Sequence, residues 1–134
     1  MIKDRVVYTV IALIVLAFLL TACGVDKTKP GAAVNLTGDS VAGKTVYDTN
    51  CAKCHGAAGV GGVANPGSAD ETVPELVPID PAFNTINSMD LVIQHGSEPE
   101  GNSPSLKMAA YGDKNLLTQQ QIADVIAYVL SLNK

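Results

Sequence analysis

Cys51-Ala52-Lys53-Cys54-His55 is the stretch that decides how this chain of 134 residues is read. Two thiols three positions apart project from one side of a helical turn. From there they can add to the two vinyl groups along one edge of a porphyrin while the adjacent imidazole is carried to the iron. A C-x-x-C-H run is accordingly the attachment signature of a c-type haem, with Cys51 and Cys54 as covalent anchors and His55 as proximal ligand. The chain holds three Cys and two His, so chance would place such a pentapeptide in roughly one chain in a thousand of this composition. The spacing is therefore signal.

Two other chemistries use closely spaced cysteines. A thioredoxin-like dithiol sits beside a βαβ pattern, and nothing in this chain alternates strands with helices. A structural zinc takes four ligands. Cys51, Cys54 and His95 offer three, there is no second Cys pair, and His55 directly after Cys54 is badly placed to be the fourth.

Upstream of the motif the chain carries an export pattern. Lys3 and Arg5 give a short positive start, residues 6–20 are an uncharged apolar run, and Leu20-Thr21-Ala22-Cys23 resembles a bacterial lipobox. The pattern predicts a signal peptide over residues 1–22 and lipid attachment at Cys23. The competing reading is an uncleaved membrane anchor, because residues 6–23 just reach the lower limit of a span. Either way the remainder lies on the extracytoplasmic face of a bacterial cytoplasmic membrane, with the positive end inside. Cysteine use agrees, since one thiol serves the leader boundary and two the haem, leaving none for a disulfide.

Removal of residues 1–22 takes away two basic and one acidic residue, leaving 7 Lys and Arg against 12 Asp and Glu, net −5. That balance excludes nucleic acid as a natural partner. The residues left suffice for one small domain. With no Trp and only four Tyr and two Phe in the whole chain, a core is hard to build from side chains alone. Burial of a porphyrin of several hundred Å² would contribute on the order of 10 kcal/mol gross.

Residues 23–38 lack hydrophobic periodicity and read as a tether, so the domain is expected over 39–134. Ser40 to Asn50 reads as a helix capped by Asp39 or Ser40, presenting Val41 and Val46 or Tyr47 inward. Gly43 in its middle costs roughly 1 kcal/mol against Ala, which suggests that another helix crosses close by. Residues 56–87, punctuated by Gly and Pro, are expected to form a long loop wrapped on the haem, the surface that would justify such length. A short helix is predicted from Met89 to His95, with Ser88 as cap and Gly96 as the left-handed stop. The last helix opens on a Thr118/Gln121 capping box and buries Ile122, Val125, Ile126 and Val129, with Asp124 and Ser131 opposite.

The second ligand of a haem iron decides its chemistry. Met89, Met108 and His95 are the candidates. Met89 lies on the apolar side of its helix with Val92 and Ile93 and reads as core, and His95 at a helix end reads as a solvated residue favoured by the helix dipole. Met108 stands on a loop just before the last helix and is the preferred ligand, with His95, Met89 or an open site as alternatives. Lys53 and Lys107 neighbour the ligands in sequence and read either as a docking rim or as solvated charges.

Residues 39–134 resemble a class I c-type cytochrome. The resemblance is carried by Gly43 and Tyr47 in the first helix, by Cys51 to Gly56, by the Met108 loop ending Ala110-Tyr111-Gly112-Asp113, and by Tyr128 in the last helix. It implies an all-α fold of three to five helices around one covalent haem, with Gly43 packed against Tyr128 and Tyr111 in contact with the cofactor. The family also uses a Pro carbonyl to orient the proximal imidazole. Pro66 fits the usual spacing and Pro74-Glu75-Leu76 fits the local Pro-x-Leu pattern; Pro74 is preferred. One departure stands out, because the axial Met is commonly followed by Pro and Ala109 stands here.

The resemblance implies carriage of single electrons between a quinol-oxidising complex and a terminal oxidase or photosynthetic centre, and no enzymatic turnover of its own. A fixed haem subunit of a larger respiratory or photosynthetic assembly is the main alternative. A haem peroxidase needs an open iron site, and a sensor needs a signalling domain that the sequence lacks. A lipoprotein leader makes a direct prediction. Protein extracted from membranes should begin at Cys23 and carry acyl chains by intact mass, and Cys23→Ser should leave an unacylated precursor; a native N-terminus at Met1 favours the anchor reading instead.

Overall fold

Helix α1 (Ser40–Asn50) starts where the Asp39 carboxylate accepts from the main-chain N–H of Val41 at 2.8 Å and of Ala42 at 3.4 Å. These are two of the donors that a helix start leaves unpaired. Its inward face is Gly43, Val46 and Tyr47, the i, i+3, i+4 set, whereas Val41, expected inside, is 79% exposed on the opposite side of the first turn. The computed structural model describes residues 24–134; the leader over residues 1–22 and Cys23 lie outside them.

Cys51 closes α1, and a single turn, α2 (Ala52–His55), continues from it at a bend. The loop after Gly56 is long but not loose. Gly61 N–H donates to the His55 carbonyl at 2.8 Å, Leu76 N–H to Gly59 at 2.7 Å and Val73 N–H to Val63 at 2.8 Å, so the chain folds back on itself and returns Pro74 to His55. Helix α3 (Ile86–His95) begins one turn earlier than its apolar pattern suggests. Thr85 is the cap and Ser88 the third helical residue of a reciprocal capping box, because both side chains can satisfy main-chain groups there. Gly96 ends it with φ +74° and ψ 177°, a glycine-only region rather than the left-handed helical stop expected, and a Cβ would lie 2.5 Å from the Met108 carbonyl oxygen. Helix α4 (Gln119–Leu132) opens on the Thr118/Gln121 capping box foreseen in the sequence. Among the described residues there are four α-helices, three short 3₁₀ turns and no strand, an all-α architecture within the expected three to five helices. No described helix is long and apolar enough to cross a membrane.

The core is the crossing of α1 on α4. Ile122, Val125, Ile126 and Val129 are buried with Val46, Tyr47, Met89 and Tyr128, and the rings of Tyr47 and Tyr128 pack with centroids 5.2 Å apart, tilted by 56°. At the crossing the two backbones touch. A Cβ on Gly43 would fall well inside contact with the Asp124 carbonyl and 3.0 Å from the Tyr128 Cβ. Asp124, expected on the solvent face, is therefore buried; its carboxylate accepts from the Asp39 N–H at 2.9 Å and from Gln120 Nε2 at 2.8 Å, tying the start of α1 to α4.

Residues 29–38, the larger part of the expected tether over 23–38, are docked on the domain. Ala33, in a 3₁₀ turn over Ala32–Asn35, is buried and donates to Gln119 Oε1 at 2.9 Å; Gly31 N–H donates to the Asp90 carboxylate; and Gln120 Nε2 donates to the Thr37 carbonyl at 2.9 Å. The segment binds through main-chain groups taken up by helix side chains. Hydrophobic periodicity does not register such contacts.

The crossing yields a sharp test. Ala in place of Gly43 gains roughly 1 kcal/mol of helix propensity, but it must push two backbones apart, and overpacking of this kind costs about 1–3 kcal/mol or more. Gly43→Ala is expected to lower the thermal midpoint by about 5–15 °C, whereas Gly24→Ala, whose added methyl would meet nothing within 4 Å, should leave it unchanged.

Candidate haem-binding site

The five-residue motif is gripped at both ends by tyrosine hydroxyls. Tyr47, wholly buried on α1, donates to the Gly56 carbonyl just after His55 at 2.8 Å, and Tyr111 donates to the Asn50 carbonyl just before Cys51 at 2.8 Å. Burial, with the nearby Cys51, pushes the Tyr47 hydroxyl up to about 12, so it stays a donor at any physiological pH. Tyr111 comes from the loop three residues after Met108. Its hydroxyl thus fastens the Met108 loop to the start of the motif.

Within the grip Cys51 and Cys54 are half-buried free thiols. Burial, then the neighbouring Cys54, pushes the Cys51 thiol up to about 11, the opposite of the lowered value that makes a cysteine a redox nucleophile. His55 Nδ1 lies 3.1 Å from the Pro74 carbonyl oxygen. That contact defines Nδ1 as the protonated nitrogen and leaves Nε2 with its lone pair. Burial lowers the His55 pKa, against a smaller opposing effect of the Pro74 carbonyl, so the ring is held neutral. Neutral imidazole with an orienting carbonyl behind it is the metal-binding form. The donor set fits a haem attached at Cys51 and Cys54: two unpaired thiols on one turn and an imidazole already oriented.

The Met108 loop is held from two sides. Met108 N–H donates to the Ser97 carbonyl at 3.0 Å and Ser97 N–H to the Met108 carbonyl at 3.2 Å. Met108 itself is half-buried, while Met89 is 6% exposed in the apolar core, as an ordinary core methionine should be. Lys107 pairs with Glu98 at 3.0 Å on the surface, and Lys53 is exposed. Three residues give no signal in sequence yet build the site's frame. Asn133 Nδ2 donates to the Leu76 carbonyl at 2.8 Å and its Oδ1 accepts from Ile79 N–H at 2.9 Å, bracing the loop that carries Pro74; Asp124 and Asn65 brace other segments in the same way. An isolated Asn or Asp in a loop looks like turn chemistry unless the partner segment is known.

Zinc does not suit this geometry. Among the described residues no three His, Cys, Asp or Glu side chains gather as a metal group, and both His95 nitrogens are engaged elsewhere.

Residues 40–133 match the cytochrome c family. The chain belongs to that family. It is 35% identical over 95 residues to the Cbb3-type cytochrome c oxidase subunit CcoP of Azospirillum sp. (strain B510), covering 68% of this chain and 30% of that relative. It is 34% identical over 93 residues to cytochrome c-555 of Prosthecochloris aestuarii, covering 69% of this chain and 87% of that one, and 35% identical over 98 residues to cytochrome c6 of Rippkaea orientalis, covering 72% and 73%. The chain thus spans less than a third of the CcoP relative's length and most of the two small cytochromes. No solved structure matches it. As a cytochrome c, the protein has the all-α cytochrome c fold and carries covalently bound haem c.

His95, expected to be solvated, is only 8% exposed at its side chain. Its Nδ1 lies 2.9 Å from the Asp113 carboxylate and its Nε2 2.9 Å from the Lys29 carbonyl, so both nitrogens face acceptors and both bonds are complete only in the imidazolium. Burial lowers its pKa, but the Asp113 hydrogen bond, the Lys29 carbonyl and the Asp113 charge together outweigh burial and raise it above 6.5. A raised folded-state value means stability that is fully present below pH 6.5 and is lost as pH rises through the folded value. Denaturation midpoints measured from pH 5 to 9 should fall across that window, and His95→Gln should remove that fall.

Proposed function

We propose that Cys51 and Cys54 hold the haem as thioethers, that His55 Nε2 is its proximal ligand and that the Met108 sulfur is its second ligand. The observation that carries this reading is the His55 Nδ1 contact of 3.1 Å to the Pro74 carbonyl beside two free thiols. A haem ligated by His and Met supplies reversible one-electron transfer at a raised potential and leaves no position for an exogenous ligand. The work of the chain is then to keep that ligation the same in both oxidation states. Pro74 fixes the imidazole, the Tyr47 and Tyr111 hydroxyls fix the two ends of the motif, and the Ser97 pairing fixes the Met108 main chain.

The protein is a carrier of single electrons on the extracytoplasmic face of the bacterial cytoplasmic membrane, held there by lipid on Cys23 or by an N-terminal transmembrane helix. It receives electrons from a quinol-oxidising complex and delivers them to a terminal oxidase or a photosynthetic centre, with no catalytic turnover of its own. Attachment confines diffusion to a thin layer and raises the effective concentration of membrane partners. Cytochrome c-555 and cytochrome c6, matched over most of their lengths, support a separate carrier. The matches to a subunit of a cytochrome c oxidase support a second reading, a fixed haem subunit of a larger assembly. Detergent extraction separates the two: a carrier leaves the membrane alone, and a subunit co-purifies with an oxidoreductase in fixed ratio.

Met108→Ala tests the ligation. The oxidised protein should lose the weak near-infrared charge-transfer band of a thioether-bound ferric iron, bind cyanide or carbon monoxide, and fall in potential by a sizeable part of the range of about 0.8 V that axial ligands command. Met89→Ala should keep band and potential and lose only about 2–5 kcal/mol of packing. The reverse pattern would make Met89 the ligand, and a wild-type protein that binds peroxide as purified would be an enzyme.

A further inference from the structure

The Met108 loop has Ala109 where proline commonly stiffens the chain in this family, and the structure holds a buried side chain in a position to supply the missing rigidity. Asn65 is 1% exposed. Its Oδ1 accepts from the Leu106 N–H at 2.7 Å and its Nδ2 donates to the Leu106 carbonyl at 3.1 Å, so one carboxamide closes both main-chain groups of the residue two before Met108. Asn65 is itself immobilised: its N–H donates to the Glu71 carbonyl at 2.7 Å, and its carbonyl accepts from Ser68 N–H at 3.1 Å and Ser68 Oγ at 2.8 Å.

The segment it belongs to is the one that folds back to bring the Pro74 carbonyl to His55. Other links between the two loops lie farther from Met108 in the chain. Pro66 accepts from Ser105 N–H and Oγ at 3.0 Å each, Gly67 from Ser103 N–H at 3.3 Å, and Ala69 N–H donates to Glu100 at 2.7 Å. On the far side the Ser97 pair holds Met108 itself. The clasp on Leu106 is the buried link nearest to the ligand on its N-terminal side.

We propose that Asn65 is a positioning residue for the Met108 ligand, coupling the loop that orients His55 to the loop that carries Met108. The proposal rests on the reading of Met108 as ligand. Only Asn suits the place. Asp would set an oxygen against the Leu106 carbonyl, Leu would leave both main-chain groups unpaired in a buried site, and Gln is one methylene too long. Without the clasp the loop has more states in which Met108 is away from the haem, and an exogenous ligand binds in proportion to their population.

The test is the imidazole affinity of the oxidised holoprotein in Asn65→Asp and Asn65→Ala. Loss of two hydrogen bonds to the main-chain groups of Leu106 should raise that affinity roughly 10- to 100-fold. Val73→Ala, which trims a buried side chain and leaves the clasp intact, serves as the structural control: its denaturation midpoint should fall while its imidazole affinity stays within about twofold of wild type. Asn65 variants that gain no more affinity than Val73→Ala would overturn the proposal. Met108→Ala distinguishes the underlying reading, since a Met108→Ala protein with unchanged imidazole affinity overturns the ligand assignment itself. Should the Asn65 variants fail to fold, hydrogen exchange on wild-type holoprotein decides. Saturating imidazole should accelerate exchange of the Leu106 amide at least about tenfold, and an unaccelerated amide would overturn the coupling.

Discussion

A single turn of helix must present two thiols and an imidazole at fixed mutual positions, and two tyrosine hydroxyls hold that turn by its ends. Tyr47 reaches Gly56 from α1 beneath it, and Tyr111 reaches Asn50 from the loop beyond Met108. One hydroxyl caps the carbonyl of the last residue of α1, and the other binds the carbonyl that directly follows the short helix. Because Tyr47 also packs on Tyr128, the turn is fixed relative to the α1–α4 crossing, and the crossing in turn exists because residue 43 has no side chain. Site geometry and core packing are therefore one constraint. A change at Gly43 shifts Tyr47, and a shift of Tyr47 moves the turn that carries Cys51, Cys54 and His55.

The elements legible in the sequence were those with a local cause. Caps at Asp39 and Thr118, the apolar stripe of α4 and the close approach at Gly43 follow from interactions within a few residues or from an evident penalty that must be offset. The motif Cys51 to His55 also has a local cause, since C-x-x-C-H packs its meaning into five positions. Errors arose where a distant segment decided. Val41 obeys apolarity but faces solvent, and Asp124 obeys polarity but is buried, because the start of α1 crosses α4 there and supplies its N–H. His95, expected to be solvated, is buried for the same reason, with the Lys29 carbonyl against its Nε2.

Loops make up much of the chain near the ligands, and their order comes from carboxamides and main-chain pairing rather than from apolar burial. Asn65 holds the Met108 loop, Asn133 braces the Pro74 loop, and Ser97 pairs with Met108. Such links are directional and short, so they fix a ligand's position more tightly than a greasy contact of similar free energy would. The proposed electron-transfer function would benefit from that arrangement, since ligation that does not rearrange between oxidation states keeps reorganisation small. A flexible loop would instead invite foreign ligands at the haem.

The central claim is that haem is joined to this chain through Cys51 and Cys54. Acid–acetone extraction of the purified protein, followed by intact mass of the polypeptide, tests it most directly. A colourless organic phase and a chain heavier by one haem are expected, with Cys51→Ser combined with Cys54→Ser releasing the haem. Haem in the organic phase with a bare chain left behind would contradict the claim.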